Sequence, residues 1–351
     1  MDVTCQIGQT ARVQDGPYMR KILIYFSVGL VLPLMIFQTR AQAAAAYPAN
    51  GLYRAVVPVA SAGAQARDRA FTQALYVVLA RLSSQTSGDL QALASELPPP
   101  STLVKDYSYL GGVDQHYRLR VRFDASAVSG LARALGLSIW PGPRPPVLAI
   151  ISVNGRPLGH AATAALVSVG VDRGLRFVLP GPVSPDPSAL IQGDPQALDA
   201  LAKDYRTGLA LIGTIRNGQA TWTLVIGGQV ATWQEQGIAA IDMIQAGAVQ
   251  AANQLLQRFA ATPGVGAAGL TGSLWVSGLQ SATDFARLMF LLRSDPRIRT
   301  VQPQQAQANG LQLSLGLDAP LTVITDDLAA SGHLVMAPTH RGTEMALRWV
   351  R

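Results

Sequence analysis

Three arginines alternate with apolar residues in the segment "HYRLRVRF", and this pattern is the one best suited to binding. Arg118, Arg120 and Arg122 are each separated by one residue, so in a β-strand their side chains point to one face at intervals of about 6.8 Å. A guanidinium group binds carboxylate or phosphate oxygens through two parallel hydrogen bonds. The segment therefore predicts an arginine face that could bind a phosphorylated or carboxylated polymer. The alternative is an ordinary solvated sheet face, with its charges balanced by Asp106 or Asp114.

The other reactive residue types do not form a recognised catalytic or metal-binding motif. The histidines stand apart, at positions 116, 160, 333 and 340, without the H-E-x-x-H spacing that places two ligands on one helix face. His333 and His340 with Asp326 or Asp327 are the best candidate ligands, but so small a set favours solvated loop residues. Neither G-x-S-x-G nor S-x-x-K occurs in the chain. We therefore assign no catalytic residue, no metal and no cofactor.

Two further patterns have plain interpretations. A second basic group could likewise be either an anion-binding surface or an ordinary solvated face. It consists of Arg287, Arg293, Arg297 and Arg299. Residues 264–269 match G-x-G-x-x-G, yet a predicted helix precedes them and a strand follows, which reverses the order of a dinucleotide-binding site. We interpret residues 262–272 as a flexible linker.

Residues 19–43 have the three parts of an export signal. Two basic residues follow Met19, the uncharged run Ile22–Phe37 comes next, and Ala41-Gln42-Ala43 has the small residues that a signal peptidase needs. The run contains a proline and is shorter than the roughly 20 residues of a membrane-spanning helix. We therefore expect cleavage and a periplasmic protein. The alternative is an inner-membrane protein anchored through Ile22–Phe37. Translation could start at Met1 or at Met19.

Composition is typical of a globular protein without disulfides. Cys5 is the only cysteine and precedes the export signal, so the mature chain would have neither a disulfide nor a thiolate metal site. The net charge is +7, and residues 1–43 contribute +2 of it through four basic and two acidic residues. Such a charge suits anionic lipids or polymers without requiring them. We expect no nucleic-acid partner.

Hydrophobic periodicity and turn residues predict three domains after the signal. Residues 44–140 have the order β-α-β-β-α, with a helix at Ala64–Leu82 and the strand pair "TLVKDYSYL" and "HYRLRVRFD". The proline-rich segment 140–146 predicts a stiff connector. Residues 147–262 have the order β-α-β-α-β-β-β-α, and residues 271–351 the order β-α-β-β-α-β. The expected fold class is α+β or α/β, with ferredoxin-like split βαβ units flanking the central domain.

Several segments together resemble a known bacterial family. "LYRAVVPV", "VLARL", "YSY", "LRVRFD", "LGLSIW" and "RPPVLAII" occur in this order between Leu52 and Ile151. In order and spacing they resemble the bacterial envelope family called domain of unknown function 2066 (DUF2066). The resemblance implies an exported protein of Gram-negative bacteria and supplies no catalytic residues. The central domain is also similar, in element order alone, to α/β domains of envelope assembly proteins such as the Tol-system propeller protein and the curli secretion lipoprotein family.

These observations lead us to expect a non-enzymatic interaction or assembly factor of the cell envelope. Its partners would be envelope proteins or an anionic polymer, and it would touch the membrane only through an uncleaved signal. One alternative is a periplasmic hydrolase, which should gather Asp, His or Ser side chains in a concave pocket. Another is a binder of an anionic glycan or lipid through Arg118, Arg120 and Arg122. An adaptor should instead show an open strand edge or an apolar patch.

Overall fold

Three β-sheets, each packed against helices, organise the chain in a computed structural model. The structure describes residues 47–85, 87–111, 117–140, 142–260, 269–295, 297–307 and 310–350. Each sheet has a hydrophobic cluster of its own, and the mixed α+β fold class is confirmed. No helix within these ranges is long and apolar enough to cross a membrane. The signal segment, Asp114, His116 and residues 261–268 lie outside the described residues.

The first sheet has three antiparallel strands in the order β1-β3-β2. Every second residue of β1 is buried, and these residues pack with β3 against helix α2. On the other face of the sheet the residues of β3 are mostly exposed, as the alternation in "HYRLRVRF" predicts, and none of the described helices packs there. The elements are α1 (Ala49–Leu52), β1 (Arg54–Val59), α2 (Ala64–Leu82), α3 (Ser87–Ala92), two short 3₁₀ turns (Ala94–Glu96 and Pro100–Leu103), β2 (Val104–Leu110), β3 (Tyr117–Phe123) and α4 (Ala125–Ala134).

The second sheet is mixed and has helices on both faces. Its order is β5-β4-β7-β8-β9, with β6 also paired to β4. Helices α5 and α8 cover one face, and α6 and α7 pack on the other. Asn217 and Gly218 both have positive φ, as a two-residue hairpin between β7 and β8 requires. The elements are β4 (Val147–Val153), β5 (Arg156–Pro157), α5 (His160–Arg173), β6 (Phe177–Val178), α6 (Pro187–Ile191), α7 (Pro195–Tyr205), β7 (Leu209–Arg216), β8 (Gln219–Ile226), β9 (Gln229–Gln236) and α8 (Ala240–Phe259).

A buried tryptophan sets the spacing between the second sheet and α8. Trp222 on β8 is fully buried, and its ring fills the space left by two glycines. A Cβ atom built on Gly213 of β7 would lie 2.3 Å from the ring, and one built on Gly247 of α8 would lie 2.2 Å from it. The close packing therefore depends on both glycines lacking a side chain.

The third sheet begins as a split βαβ unit and ends differently. Its order is β11-β12-β10-β14-β13. Strands β10, β11 and β12 have the expected ferredoxin-like arrangement, but the last strand, β14, lies parallel to β10 and separates it from β13. The elements are β10 (Leu270–Ser277), α9 (Ala282–Ser294), β11 (Ile298–Gln307), β12 (Gly310–Leu317), α10 (Leu321–Ala330), β13 (Leu334–Met336) and β14 (Met345–Trp349).

The proline-rich segment 140–146 is part of a buried joint between the first two sheets. Arg144 is fully buried, and its guanidinium donates to the carbonyl oxygens of Arg173 at 2.8 Å and of Arg81 and Trp140, each at 2.9 Å. The Arg81 side chain is buried as well and donates to the carbonyl of Arg54 at 2.6 Å and to that of Asp172 at 3.3 Å.

Helix ends take the place of carboxylates around these two cations. The carbonyls of Arg81 and of residues 172 and 173 lie at the C-termini of α2 and α5, where a helix carries about half a negative charge. Burial, together with the positive charge of Arg81, lowers the pKa of Arg144 to about 9. Gly174 has a φ of +65°, and a Cβ there would lie 2.8 Å from Arg81 Cγ. The glycine thus ends α5 and leaves room for the Arg81 side chain.

Candidate functional site

The arginine face of the first sheet brings together residues from two of its strands, β1 and β3. On β3, Arg118 and Arg120 are exposed and Arg122 is partly exposed. The register places Arg54 of β1 opposite Arg122, so a fourth arginine joins the three that the sequence singles out. We define the arginine face as these four residues, Arg54, Arg118, Arg120 and Arg122.

A single ion pair neutralises part of this face. Asp106 of β2 is the cross-strand partner of Arg122 and accepts hydrogen bonds from its guanidinium, one of them at 2.6 Å from Nε. Within the described residues, no hydrogen bond or ion pair engages the side chains of Arg54, Arg118 or Arg120. Among the described residues, four arginines and one aspartate give the face a net charge of +3. The three free guanidinium groups can therefore accept anions from outside the molecule.

The rest of the open face is uncharged and in part apolar. Val56 and Pro58 of β1 stand opposite Arg120 and Arg118, and both are exposed. Ser108 of β2 lies on the other side of Arg120. A sheet face that alternates arginines with small apolar residues can contact lipid head groups or a sugar polymer without burying an unpaired acid.

The second basic group is engaged within the protein, in contrast to the arginine face. Arg297 bonds Asp295 and Asp327, each at 2.6 Å, and Arg299 lies 2.9 Å from Asp318. Burial alone would lower the pKa of Arg297, but the hydrogen bonds and charges of its two aspartates raise it. The remaining members, Arg287 and Arg293, lie exposed on α9. The group is thus divided between internal ion pairs and a helix surface.

The candidate metal ligands are separated and occupied by other contacts. His340 stacks on Trp275 with ring centroids 4.0 Å apart, and His333 stacks on Trp349 at 6.1 Å. Asp326 pairs with Arg258 of α8 at 2.7 Å, and Asp327 is held by Arg297 as described above. In the part of the chain that the structure describes, no three His, Cys, Asp or Glu side chains are grouped for a metal ion.

The two best-formed cavities lie beside α2 and are shallow. The first, of about 520 Å³, lies between α2 and β2; the second, of about 320 Å³, lies between α2 and the turn at Pro100. Acidic and hydroxyl groups line them, including Asp68, Asp106 and Ser101, but a histidine is part of neither lining. Asp106 already pairs with Arg122. These cavities do not bring together the groups of a hydrolytic site.

Sequence reasoning missed Arg54 because its place on the face depends on long-range strand pairing. The local signal for it was present: "YRAVVPV" alternates exposed and buried residues in the same way as β3. Only the register of β1 on β3 shows that the two alternations share one solvent face.

Comparison with known proteins does not support the resemblance to DUF2066. A family model described as Domain of unknown function (DUF8605) matches residues 46–141, which are the first sheet, its helices and the start of the buried joint. No curated protein matches the chain. The resemblance to DUF2066 was therefore wrong, since the matching family is a different one. The segments that suggested it are short and typical of any β-α-β-β unit with an amphipathic helix, so their order was weak evidence for one family.

Proposed function

We propose that this protein is an exported, non-enzymatic factor of the cell envelope that binds an anionic glycan or lipid through its arginine face. The observation that carries the proposal is the set of three guanidinium groups, from Arg54, Arg118 and Arg120, that have no partner among the described residues and lie on a sheet face that no described helix covers. The export signal expected at residues 19–43 supports the compartment.

The expected strength of binding follows from the charge. An arginine close to an anionic membrane surface contributes about 1 kcal/mol of attraction. Replacing two free arginines should therefore cost about 2 kcal/mol, which is roughly a 30-fold loss of affinity. The attraction should also weaken as salt rises, because the Debye length falls to about 3 Å at 1 M.

The experiment compares two double variants with the same change in charge. Arg118→Ala with Arg120→Ala removes two free cations from the arginine face and leaves the Arg122–Asp106 pair intact. Arg287→Ala with Arg293→Ala removes two exposed cations from α9. Binding of each purified protein is measured on phosphatidylglycerol vesicles, on neutral phosphatidylcholine vesicles and on lipopolysaccharide.

We expect the first variant to lose roughly 30-fold in affinity for an anionic probe, and the α9 variant to change less than about twofold. Vesicle binding without lipopolysaccharide binding would identify the ligand as phospholipid, and the reverse would identify a glycan. Equal losses in both variants would show that net charge alone is responsible and would overturn the proposal. So would wild-type protein that binds neither anionic probe.

A further inference from the structure

Most sheet edges in the described part of the chain carry a feature that hinders pairing with another strand. Pro58 lies on β1 and Pro303 on β11, and β11 also has two shifts of register. Strand β2 has Lys105 and a register shift beside it. Strands β5, β6 and β13 are only two or three residues long. Prolines, edge lysines, bulges and short strands are the usual means by which proteins prevent edge-to-edge association.

Strand β9 is an edge strand without these features. Its eight residues, "QVATWQEQ", pair with β8 in one continuous register, and they include neither proline nor lysine. Gly237 N donates to Gly218 O at 3.0 Å, so the odd-numbered residues of β9 bond β8. The backbone N–H and C=O groups of the even-numbered residues therefore point away from the sheet. These residues are Val230, Thr232, Gln234 and Gln236.

Polar atoms without partners lie beside this edge. Six buried side-chain nitrogen or oxygen atoms in the described residues lack a hydrogen bond, and five of them belong to β8, β9 and α8. Two of the five are complementary: the indole Nε1 of Trp233 is a donor and the Oε2 of Glu235 is an acceptor. Both side chains lie on the α8 side of β9, two residues apart. Buried groups of this kind are normally satisfied by protein or water.

We propose that β9 pairs antiparallel with β9 of a second copy of this chain, with Trp233 on the two-fold axis. This register places Thr232 opposite the partner's Gln234 and Val230 opposite the partner's Gln236, so every free backbone group between them gains a partner. It also makes Trp233 the diagonal neighbour of the partner's Glu235, within reach of a long side chain. Both atoms are covered within one copy, so the unpaired donor of each copy meets the unpaired acceptor of the other once the two side chains turn towards the new strand.

Charge and topology favour a second copy over an open-ended assembly. Glu235 is the one ionisable residue of β9, and in this register it faces the partner's Ala231, so like charges are not opposed. Val230 is 48% exposed on the free edge and would be covered. The opposite edge of the same sheet consists of the two-residue strands β5 and β6. The assembly therefore closes at a dimer with two-fold symmetry.

The test measures oligomeric state and isolates one backbone N–H group. The full chain, Thr232→Pro and Thr232→Ala are purified and examined by light scattering and by sedimentation equilibrium. Proline at 232 removes an N–H that points outward and not one that bonds β8, whereas alanine keeps it. We expect wild-type protein and the alanine variant to be dimers at roughly 10 µM, and the proline variant to dissociate with at least a tenfold larger Kd.

Two further measurements keep the test decisive if the proline variant folds poorly. Trp233→Phe keeps the aromatic ring but removes the N–H, and we expect it to weaken dimerisation by several-fold without changing the circular dichroism spectrum. In the wild-type protein, the amides of Thr232 and Gln234 should exchange with deuterium more slowly as concentration rises. A wild-type protein that stays monomeric at roughly 100 µM, or a dimer that all three variants leave unchanged, would overturn the proposal. The arginine face lies on another sheet, so its own test is independent of this one.

Discussion

Replacing Arg144 tests whether a buried cation without a carboxylate partner stabilises or destabilises this fold. Its guanidinium satisfies three backbone carbonyls, those of Arg81, Trp140 and Arg173, and lies over the Trp140 ring at 4.7 Å. The carbonyls remain in place whatever residue replaces the arginine. Left without a donor, each costs roughly 1–3 kcal/mol, or roughly 3–9 kcal/mol for three.

The opposing effect is release from desolvation. Burying an ion costs several kcal/mol, and the lowered pKa of Arg144 reflects that cost. The negative helix ends of α2 and α5 offset part of it in the native protein, by up to about 2 kcal/mol each. We therefore expect Arg144→Met to lower the free energy of unfolding by about 3 kcal/mol. Arg144→Ala should lower it by about 5 kcal/mol, because it also leaves a cavity.

The assay is urea unfolding followed by tryptophan fluorescence. The control is Arg156→Met on β5, where the arginine is exposed and the change should stay within about 0.5 kcal/mol. If Arg144→Met were as stable as the wild-type protein or more so, desolvation would outweigh the carbonyl bonds. The reasoning that the helix ends hold this cation would then be refuted.

Two other substitutions probe the packing of the second sheet and a histidine of the third. Gly247→Ala should destabilise the protein by about 2 kcal/mol, because its Cβ would overlap the Trp222 ring. The control is Gly130→Ala on α4, where the glycine has open space around it, and this change should stabilise the protein by about 0.5 kcal/mol. Thermal unfolding measures both variants, and equal effects would contradict the packing argument. Burial and two nearby arginines lower the pKa of His333, so the unfolded chain binds its proton more tightly and stability should fall as pH drops below the ordinary histidine value of about 6.5. His333→Gln should remove this component from the pH dependence of the urea midpoint, and an unchanged profile would show that His333 is not its source.

Local patterns predicted the elements well because their signals are short-range. Helix α2 has the expected bounds, Ala64–Leu82, since its apolar residues recur at helical spacing. The Asp194-Pro195 pair is a local start signal of the same kind: α7 begins at Pro195, and Asp194 accepts hydrogen bonds from two backbone amides of the first turn. Short helices such as α3 and α6 were missed, because five or six residues carry too little periodicity to be recognised.

What could not be predicted depends on contacts between distant parts of the chain. The segment around Arg144 has four prolines and reads as a stiff spacer, but its arginine is buried because the helix ends of α2 and α5 meet there. The place of β14 between β10 and β13 is equally a matter of long-range pairing. Register across the first sheet brings Arg54 to the arginine face. Periodicity identifies the face that a strand exposes, but it leaves open which other strands share that face.

The distribution of ion pairs explains why the arginine face keeps positive charge. The chain has 28 lysines and arginines and 21 acidic residues. Around the second and third sheets, arginines form ion pairs with five aspartates: Asp199, Asp295, Asp318, Asp326 and Asp327. Among the described residues, the first sheet has a single such pair on its open face, through Asp106. Uncompensated charge destabilises a compact state through self-repulsion. This loss of stability is smallest where water screens the charges. An exposed sheet face meets that condition, so it can keep cations that the interior would have to neutralise. The same exposure leaves those cations accessible to an anionic partner. For this reason the binding proposal rests on the arginine face rather than on the arginines that are held in ion pairs elsewhere.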